Sequence, residues 1–342
     1  MRTICIEGID AVGKETVSKA LEKQLTAMGF RCYRVSFPEY DGNFGRAIKD
    51  VLTGACGDAT ELDPNLFGSL YTLDRMKFFK ERMSHLVESC DFLILDRSYY
   101  SNFMYQCSKY FINDPNNNST NCELSDSTIC GMFMWLMNNA IYELYETDLI
   151  CSSDIDVFLL ELPEKDRQAQ ISERAEKDIH ESNTDYLDGC RKFSKMMTSK
   201  AYTNQLFDKF DKLMTEYQLQ YNGSYNAVKN YYFDKVHRIP AVHALSKEYI
   251  PLATMANVNK ILGYIFPDDI DDSTKTTSDA NPNLELIKYL RSLKWIPEKH
   301  IHETAKFITM CNMNGMNVSL DDCVNSTVII SKVSNCSTDC RN

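Results

Sequence analysis

The chain has 342 residues, 44% of them apolar, and a formal net charge of −11 at pH 7. That is enough for one large core with a smaller appendage, and the acidic balance argues against a partner such as nucleic acid gripped along its backbone. The opening "MRTICIEGID" carries one arginine and a short apolar run without cleavage-like small residues, so it reads as a strand and not as a signal peptide. No run approaches about eighteen consecutive apolar residues, and no membrane span is expected. Thirteen cysteines, an odd number scattered along the chain, suit a reduced, cytoplasmic protein better than a disulfide framework.

The first strand-length apolar run is "TICIEGI", residues 3–9, and a helical pattern follows over 14–28. Between them Gly8-Ile9-Asp10-Ala11-Val12-Gly13-Lys14 fits G-x-x-x-x-G-K after a strand and before a helix, the context that a phosphate-binding loop requires. Glycines let backbone N–H groups turn toward one point. The helix adds its positive N-terminal end, and Lys14 supplies a mobile charge for β- and γ-phosphates. Glu15 stands where Ser or Thr normally offers Mg²⁺ a hydroxyl, while Thr16, one residue on, still reaches phosphate. Glu15 either points to solvent from a helix start that favours an acid, or takes the place of the hydroxyl on the metal.

The second strand, "CYRVSF", runs into "FPEYDG", which sets Phe37, Pro38 and Tyr40 at a strand end. Helical patterns cover 44–54 and 63–89. In the longer one Tyr71 and Arg75 lie four residues apart on one face. Tyr71 could stack on a base, although an aromatic at helical spacing is more often core. The third strand, "DFLILD", ends in Asp96-Arg97. In an open parallel sheet the carboxyl ends of strands line the ligand crevice, where an aspartate suits Mg²⁺ or its waters and an arginine suits a second phosphate. The other reading is a strand-end ion pair facing solvent.

Beyond a helical pattern at 127–148 comes the fourth strand, "DIDVFLLEL", and then a charged segment, "PEKDRQAQISERAEKDIHES", helical over 164–176. Its Arg167, Arg174 and Lys177, with Asp178 and Glu181, are either a solvated helix end laced by i,i+3 and i,i+4 pairs or a lid whose cations neutralise a transferring phosphoryl group. Residues 185–232 read as helical, "DKVHRIPAV" as a fifth strand and "SKEYIPLATMANVNKILGYIF" as a closing helix. Strands alternating with helices imply an α/β domain, a parallel sheet of the P-loop NTPase type covered by helices on both faces. This domain is expected over 1–266, with an extra helical segment at about 195–232. An acidic, proline-flanked linker follows at 267–283 and a C-terminal extension at 284–342.

Taken in order, "GIDAVGKET", "FPEYDG", "LYTLDR", "DRSYYSNFMYQ" and "RAEKDIHE" resemble the motifs of the thymidylate kinase family, over about residues 3–266. The resemblance implies ATP-dependent phosphorylation of dTMP to dTDP, with Mg²⁺ accompanying ATP, and a homodimer that needs neither nucleic acid nor membrane. It implies that Gly8, Asp10, Val12, Gly13, Lys14, Glu15 and Thr16 hold the ATP phosphates. Asp10, Phe37, Tyr40, Tyr71, Arg75, Arg97, Asn102 and Tyr105 would form the dTMP site, Tyr71 stacking on thymine, Arg75 reaching a base carbonyl and Tyr105 crowding the sugar 2′ position. Lys14, Arg97 and Asp96 would act in the transfer together with Arg174 and Lys177, because Ala11 and Val12 stand where some members carry a P-loop arginine. Asp10, Asp96 and, more weakly, Glu181 would face the metal. Two departures are Glu15 and Ser98, the latter at a position where the family usually has Tyr or His. "DRS" is also similar to the "ERS" of deoxynucleoside kinases, which leaves a deoxynucleoside kinase or a broader deoxynucleoside monophosphate kinase as the alternative. A weakly active nucleotide-binding protein with a partner-recruiting tail is the alternative of another class.

Overall fold

Five apolar runs become five strands: β1 (Arg2–Glu7), β2 (Cys32–Ser36), β3 (Phe92–Asp96), β4 (Ile155–Glu161) and β5 (Val236–Pro240). The computed structural model describes residues 1–116, 124–141, 155–163, 165–167, 183–197, 199–218, 229, 235–242, 250–266, 316–317 and 331–332. The strands form one sheet in the order β2-β3-β1-β4-β5, and every neighbouring pair is parallel. The three inner strands are buried along nearly their whole length. That is why they read as unbroken apolar runs and not as alternations. The edge strands are only partly buried and carry Arg34, His237 and Arg238.

Helices α1 (Lys14–Ala27), α2 (Asn43–Leu52), α3 (Pro64–Ser89), α4 (Tyr99–Ile112), α5 (Asp126–Trp135), α6 (Thr184–Met197) and α7 (Lys200–Glu216) accompany the sheet, and a further helix, α8 (Ile250–Ile265), follows β5 in the chain. Good caps mark several starts. Asp63 accepts from the Leu66 N–H ahead of Pro64 in α3, and Ser125 accepts from Thr128 ahead of α5. The helix expected over 127–148 is α5 followed by a π-helical turn, Leu136–Ile141, and its remainder lies outside the described residues. Helix α4 was not anticipated. Eleven of its fourteen residues are buried, Ser101, Asn102, Gln106, Ser108 and Lys109 among them, so it lacks the solvated face that usually marks a helix.

The main core joins β1, β3 and β4 to α3–α7. Phe103 packs against Trp135 and Phe193, and Phe133 against Phe210, at ring-centroid distances of 5.5–5.8 Å. The described part of the extra helical segment is therefore core and not ornament. A separate small cluster sits between α2 and α3: Ile48, Val51, Ala59 and Phe67, with Leu52, Leu62, Leu70 and Tyr71 packed on it. None of the described cysteines forms a disulfide. No helix among the described residues is long and apolar enough to cross a membrane.

The chain divides into two compact units, Met1–Ala241 and Val242–Asn342, whereas the sequence carries the first domain to residue 266. The second unit contains α8 and an antiparallel pair of two-residue strands, β6 (Met316–Asn317) and β7 (Ser331–Lys332). The expected linker at 267–283 lies outside the described residues.

One ionic cluster ties β1, β4 and β5 together. Arg2 donates to Asp156 Oδ2 through Nε at 2.9 Å and Nη2 at 2.8 Å, and His237 Nε2 lies 2.9 Å from Asp156 Oδ1. Burial works to raise the Asp156 pKa, but the hydrogen bonds from His237 and Arg2 outweigh it and hold the carboxyl below its ordinary value. A carboxyl depressed in the folded state stabilises above its unfolded pKa and loses that contribution as pH falls through the folded one. Urea unfolding should therefore show wild-type stability dropping between about pH 5 and pH 3, with a smaller drop in Asp156→Asn. At pH 7 the variant should be less stable by about 2 kcal/mol.

Candidate active site

The buried strand β1 delivers the chain into the glycine loop. Gly8 has φ +145°, and a Cβ there would stand 2.6 Å from the Leu160 carbonyl oxygen, so only glycine fits beside β4. Ala11 and Gly13 also take positive φ, 64° and 82°. Gly13 is the N-cap of α1, and no side chain caps that helix, which leaves its first-turn N–H groups for an anion. Lys14 folds back into the loop, donating to the carbonyls of Gly8 at 2.8 Å and Ile9 at 2.9 Å. Burial and the nearby Arg97 bring the Lys14 pKa down to about 8, against the opposing pull of Asp10.

The register sets the second motif beside the first. Ile6, Asp96 and Ser36 are aligned across β1, β3 and β2, and the ladder continues through Arg97 N–H to Ile6 O and Phe37 N–H to Asp96 O. Arg97 Nη2 donates to Asp10 Oδ1 at 2.6 Å, and Lys14 Nζ lies 3.5 Å from the same oxygen. Although burial alone would raise the Asp10 pKa, Arg97 and Lys14 hold this carboxyl far below its ordinary range.

Arg97 itself has φ 72°, a left-handed conformation uncommon for a residue with a side chain. What fixes it is Glu7, which sequence reasoning missed. The Glu7 carboxylate is fully buried and accepts from Ser98 N–H at 2.6 Å, Ser98 Oγ at 2.5 Å and Ser101 N–H at 3.3 Å, and also from Ser101 Oγ. Burial pushes the Glu7 pKa up, and these donors oppose the shift. The signal was a lone acid at the end of an otherwise apolar strand, with two serines after Arg97.

Beside this triad opens a cavity of about 100 Å³. All eight residues expected to bind dTMP line it: Asp10, Phe37, Tyr40, Tyr71, Arg75, Arg97, Asn102 and Tyr105. Phe37 and Arg75 are buried, and Tyr40 is exposed. Tyr71 meets Phe67 edge to face at 5.1 Å. Burial and the neighbouring Asp10 keep the Tyr105 phenol protonated.

Asn102 Oδ1 and Gln106 Oε1, buried acceptors in the wall, have no hydrogen-bond partner among the described residues. The Asn102 amide is oriented by its own Nδ2, which donates to Gly68 O at 3.0 Å. Gln106 was not anticipated, yet it sits four residues after Asn102 on the same helix face. Tyr186 of α6 was also missed. Its hydroxyl donates to Tyr105 O at 3.0 Å and its side chain joins the wall.

The remaining expected residues that are described fall outside the cavity lining. Asp96 is buried, accepts from Ser18 Oγ at 3.2 Å and lies 3.6 Å from Arg34. Burial raises its pKa against Arg97 and Lys14. Val12 is buried against Gly8, and Thr16 is exposed. Glu15 is exposed and pairs with Lys19 at 2.5 Å. Arg174, Lys177, Asp178 and Glu181 lie outside the described residues. Among the described residues no group of three or more His, Cys, Asp or Glu could hold a metal. A Mg²⁺ shared with nucleotide phosphates needs only one or two carboxylates plus waters, and Asp96 with the Ser18 hydroxyl beside it suits that role better than Asp10, which two cations already engage.

A family profile for thymidylate kinase matches residues 6–119. A probable thymidylate kinase of Methanococcus maripaludis is 29% identical over 118 residues, covering 32% of this chain and 53% of that one. A thymidylate kinase of Bifidobacterium longum is 28% identical over 139 residues, covering 40% and 61%. A probable thymidylate kinase of Pyrobaculum aerophilum is 34% identical over 107 residues, covering 31% and 50%. The chain thus spans half to three-fifths of the length of these relatives. A solved thymidylate kinase from Candida albicans overlays with TM-score 0.39 at 17% identity, covering 78% of this chain and 91% of that one, a likeness too loose to carry an argument.

Replacing Glu7 with Gln keeps the shape but turns an amide donor toward the serines. We expect the turn at Arg97 to loosen: amide hydrogen exchange across residues 97–101 should be at least about tenfold faster in Glu7→Gln than in the wild type, and unchanged exchange there would refute the assignment.

Proposed function

We infer, for a chain that over residues 6–119 belongs to the thymidylate kinase family, that the protein transfers the γ-phosphoryl group of ATP to dTMP, giving dTDP and ADP. One observation carries the reading: Lys14 of the phosphate loop and Arg97 of the cavity wall converge on a single Asp10 oxygen, at 3.5 and 2.6 Å. A donor held by the loop and an acceptor held in the cavity would therefore meet across that carboxylate. The cavity offers an apolar slot for a base between Phe37, Phe67 and Tyr71, and the open carbonyls of Asn102 and Gln106 are acceptors for a ring N–H.

An acceptor phosphate oxygen is already anionic at neutral pH and needs no strong general base. It attacks phosphorus in line, the new O–P bond forms, and the bond to the β-phosphate oxygen breaks. What this chain supplies is position and positive charge. Lys14 would leave its two carbonyls for the β- and γ-phosphates, and Arg97 would share itself between Asp10 and the acceptor phosphate. Mg²⁺ bound with ATP would neutralise phosphate charge, and Asp96 with the Ser18 hydroxyl beside it would help hold the ion. The family resemblance adds Arg174 and Lys177 as lid cations and extends the proposal to a homodimer. Thirteen cysteines, with no disulfide among those described, favour a reducing, cytoplasmic setting.

The test is a coupled assay with ATP and a panel of dTMP, dUMP, dGMP and thymidine. Turnover should be greatest with dTMP. Preference for thymidine would move the protein to the nucleoside kinases, and tight nucleotide binding without any turnover would leave only a binding role. Lys14→Ala should reduce kcat by about 10³-fold or more, and a variant as active as the wild type would show that the loop has been misread.

A further inference from the structure

We propose that Lys109 is a positioning residue for the acceptor pocket, its buried side chain clamping the α2–α3 loop to α4 and so fixing the wall against which the acceptor's base lies. The proposal rests on the dTMP reading above and extends it to a residue outside the ligand's reach.

The wall in question is Ala59 and Phe67, which line the cavity but belong to the small α2–α3 cluster and not to the main core. Ala59 lies in the loop between Leu52 and Pro64, a stretch that takes left-handed turns at Gly54 and Gly57. Loop contacts such as Gly57 N–H to Gly54 O and Thr60 to Asp58 Oδ1 are local and do not tie it to the rest of the fold. Lys109 does. Its Nζ donates to Ala59 O at 2.8 Å and to Leu62 O at 2.9 Å, and it stands 5.3 Å from the centroid of the Phe67 ring. Both wall residues are thus held from behind by one side chain.

The other end of the clamp is firm, because Cys107 and Phe111 on either side of Lys109 are part of the main core. Spacing along α4 adds to the case. Asn102, Gln106 and Lys109 follow at i, i+4 and i+7, one face of the helix. The face that presents two open carbonyls to the ligand continues, one turn on, into the group that holds the opposing wall. Burial draws the Lys109 pKa down to about 8, with Cys190, Asp63 and Asp58 holding it up. A buried ammonium is tolerated only when its protons are used, and here two carbonyls and a ring face use them.

The experiment is calorimetric binding of dTMP and, separately, of a non-hydrolysable ATP analogue to the full chain. It compares wild type, Lys109→Met, which keeps the apolar stem and removes the donors, and Lys109→Arg, which keeps charge and donors. Lys109→Met should weaken dTMP binding by about tenfold or more while the ATP analogue changes by less than about twofold, and Lys109→Arg should recover most of the loss. Unchanged dTMP affinity in a folded Lys109→Met, or equal loss for both ligands, overturns the proposal. A wild type that fails to bind dTMP overturns the functional reading and the clamp with it. Should Lys109→Met not fold, hydrogen exchange on the wild type decides: saturating dTMP must slow exchange across residues 55–63, and unaltered exchange there refutes the clamp.

Discussion

Glu7 ends the central strand with its carboxylate sealed from solvent, and the N–H and hydroxyl groups of Ser98 and Ser101 close on it from a single stretch of chain. Arg97 precedes that stretch and must turn left-handed for it to arrive. A non-glycine residue in that conformation costs of order 1–3 kcal/mol, whereas hydrogen bonds contribute about 0.5–1.5 kcal/mol each and four of them converge on Glu7. The bonds outweigh the strain. Their reward is placement, since the same turn brings the Arg97 guanidinium to Asp10. Two motifs almost ninety residues apart in sequence thereby become one site, and the coupling lies beneath the cavity, where solvent does not weaken it.

The resulting charge arrangement is unbalanced by design of the chain. Lys14 and Arg97 both lean on one oxygen of Asp10, and the Lys14 pKa is lowered first by burial and then by Arg97, with Asp10, Glu7 and Asp96 pulling the other way. An incoming phosphate relieves the repulsion, so the site gains more from an anion than an isolated lysine or arginine would. A chain of net charge −11 thus concentrates positive charge at the end of its sheet, where backbone N–H groups at the start of α1 point the same way.

What could be read beforehand follows from what a sequence encodes locally. The phosphate loop was legible because its glycines, lysine and flanking strand and helix are contiguous, and Gly8 proves to sit where a Cβ would strike β4. The five strands were legible because inner parallel strands are apolar end to end. Helix α4 was not, since it lacks the solvated face that usually marks a helix. Glu7 and Tyr186 escaped for a different reason. Each acts through a partner far along the chain, Ser98 and Ser101 for one and the Tyr105 carbonyl for the other, and no spacing rule reaches that distance. Gln106 and Lys109 lay within reach, on the face already marked by Asn102, once the segment is known to be a helix.

Glu15, the departure at the end of the loop, can now be placed. Its side chain is turned outward to Lys19, one turn along α1, where an acid in the first turn is favoured by the helix end. The hydroxyl that the loop lacks at that position has a neighbour of the same chemistry further along the helix: Ser18 is buried and donates to Asp96, with Arg34 behind it. Burial raises the Asp96 pKa, and Arg97, Lys14, Ser18 and Arg34 together work against that shift. The strand-end acid is therefore held at the face of α1 by a hydroxyl and a cation, and not by the loop. A divalent ion drawn in with nucleotide would find one oriented carboxylate there and would take the rest of its oxygens from phosphate and water, a shell that a hard, small cation accepts.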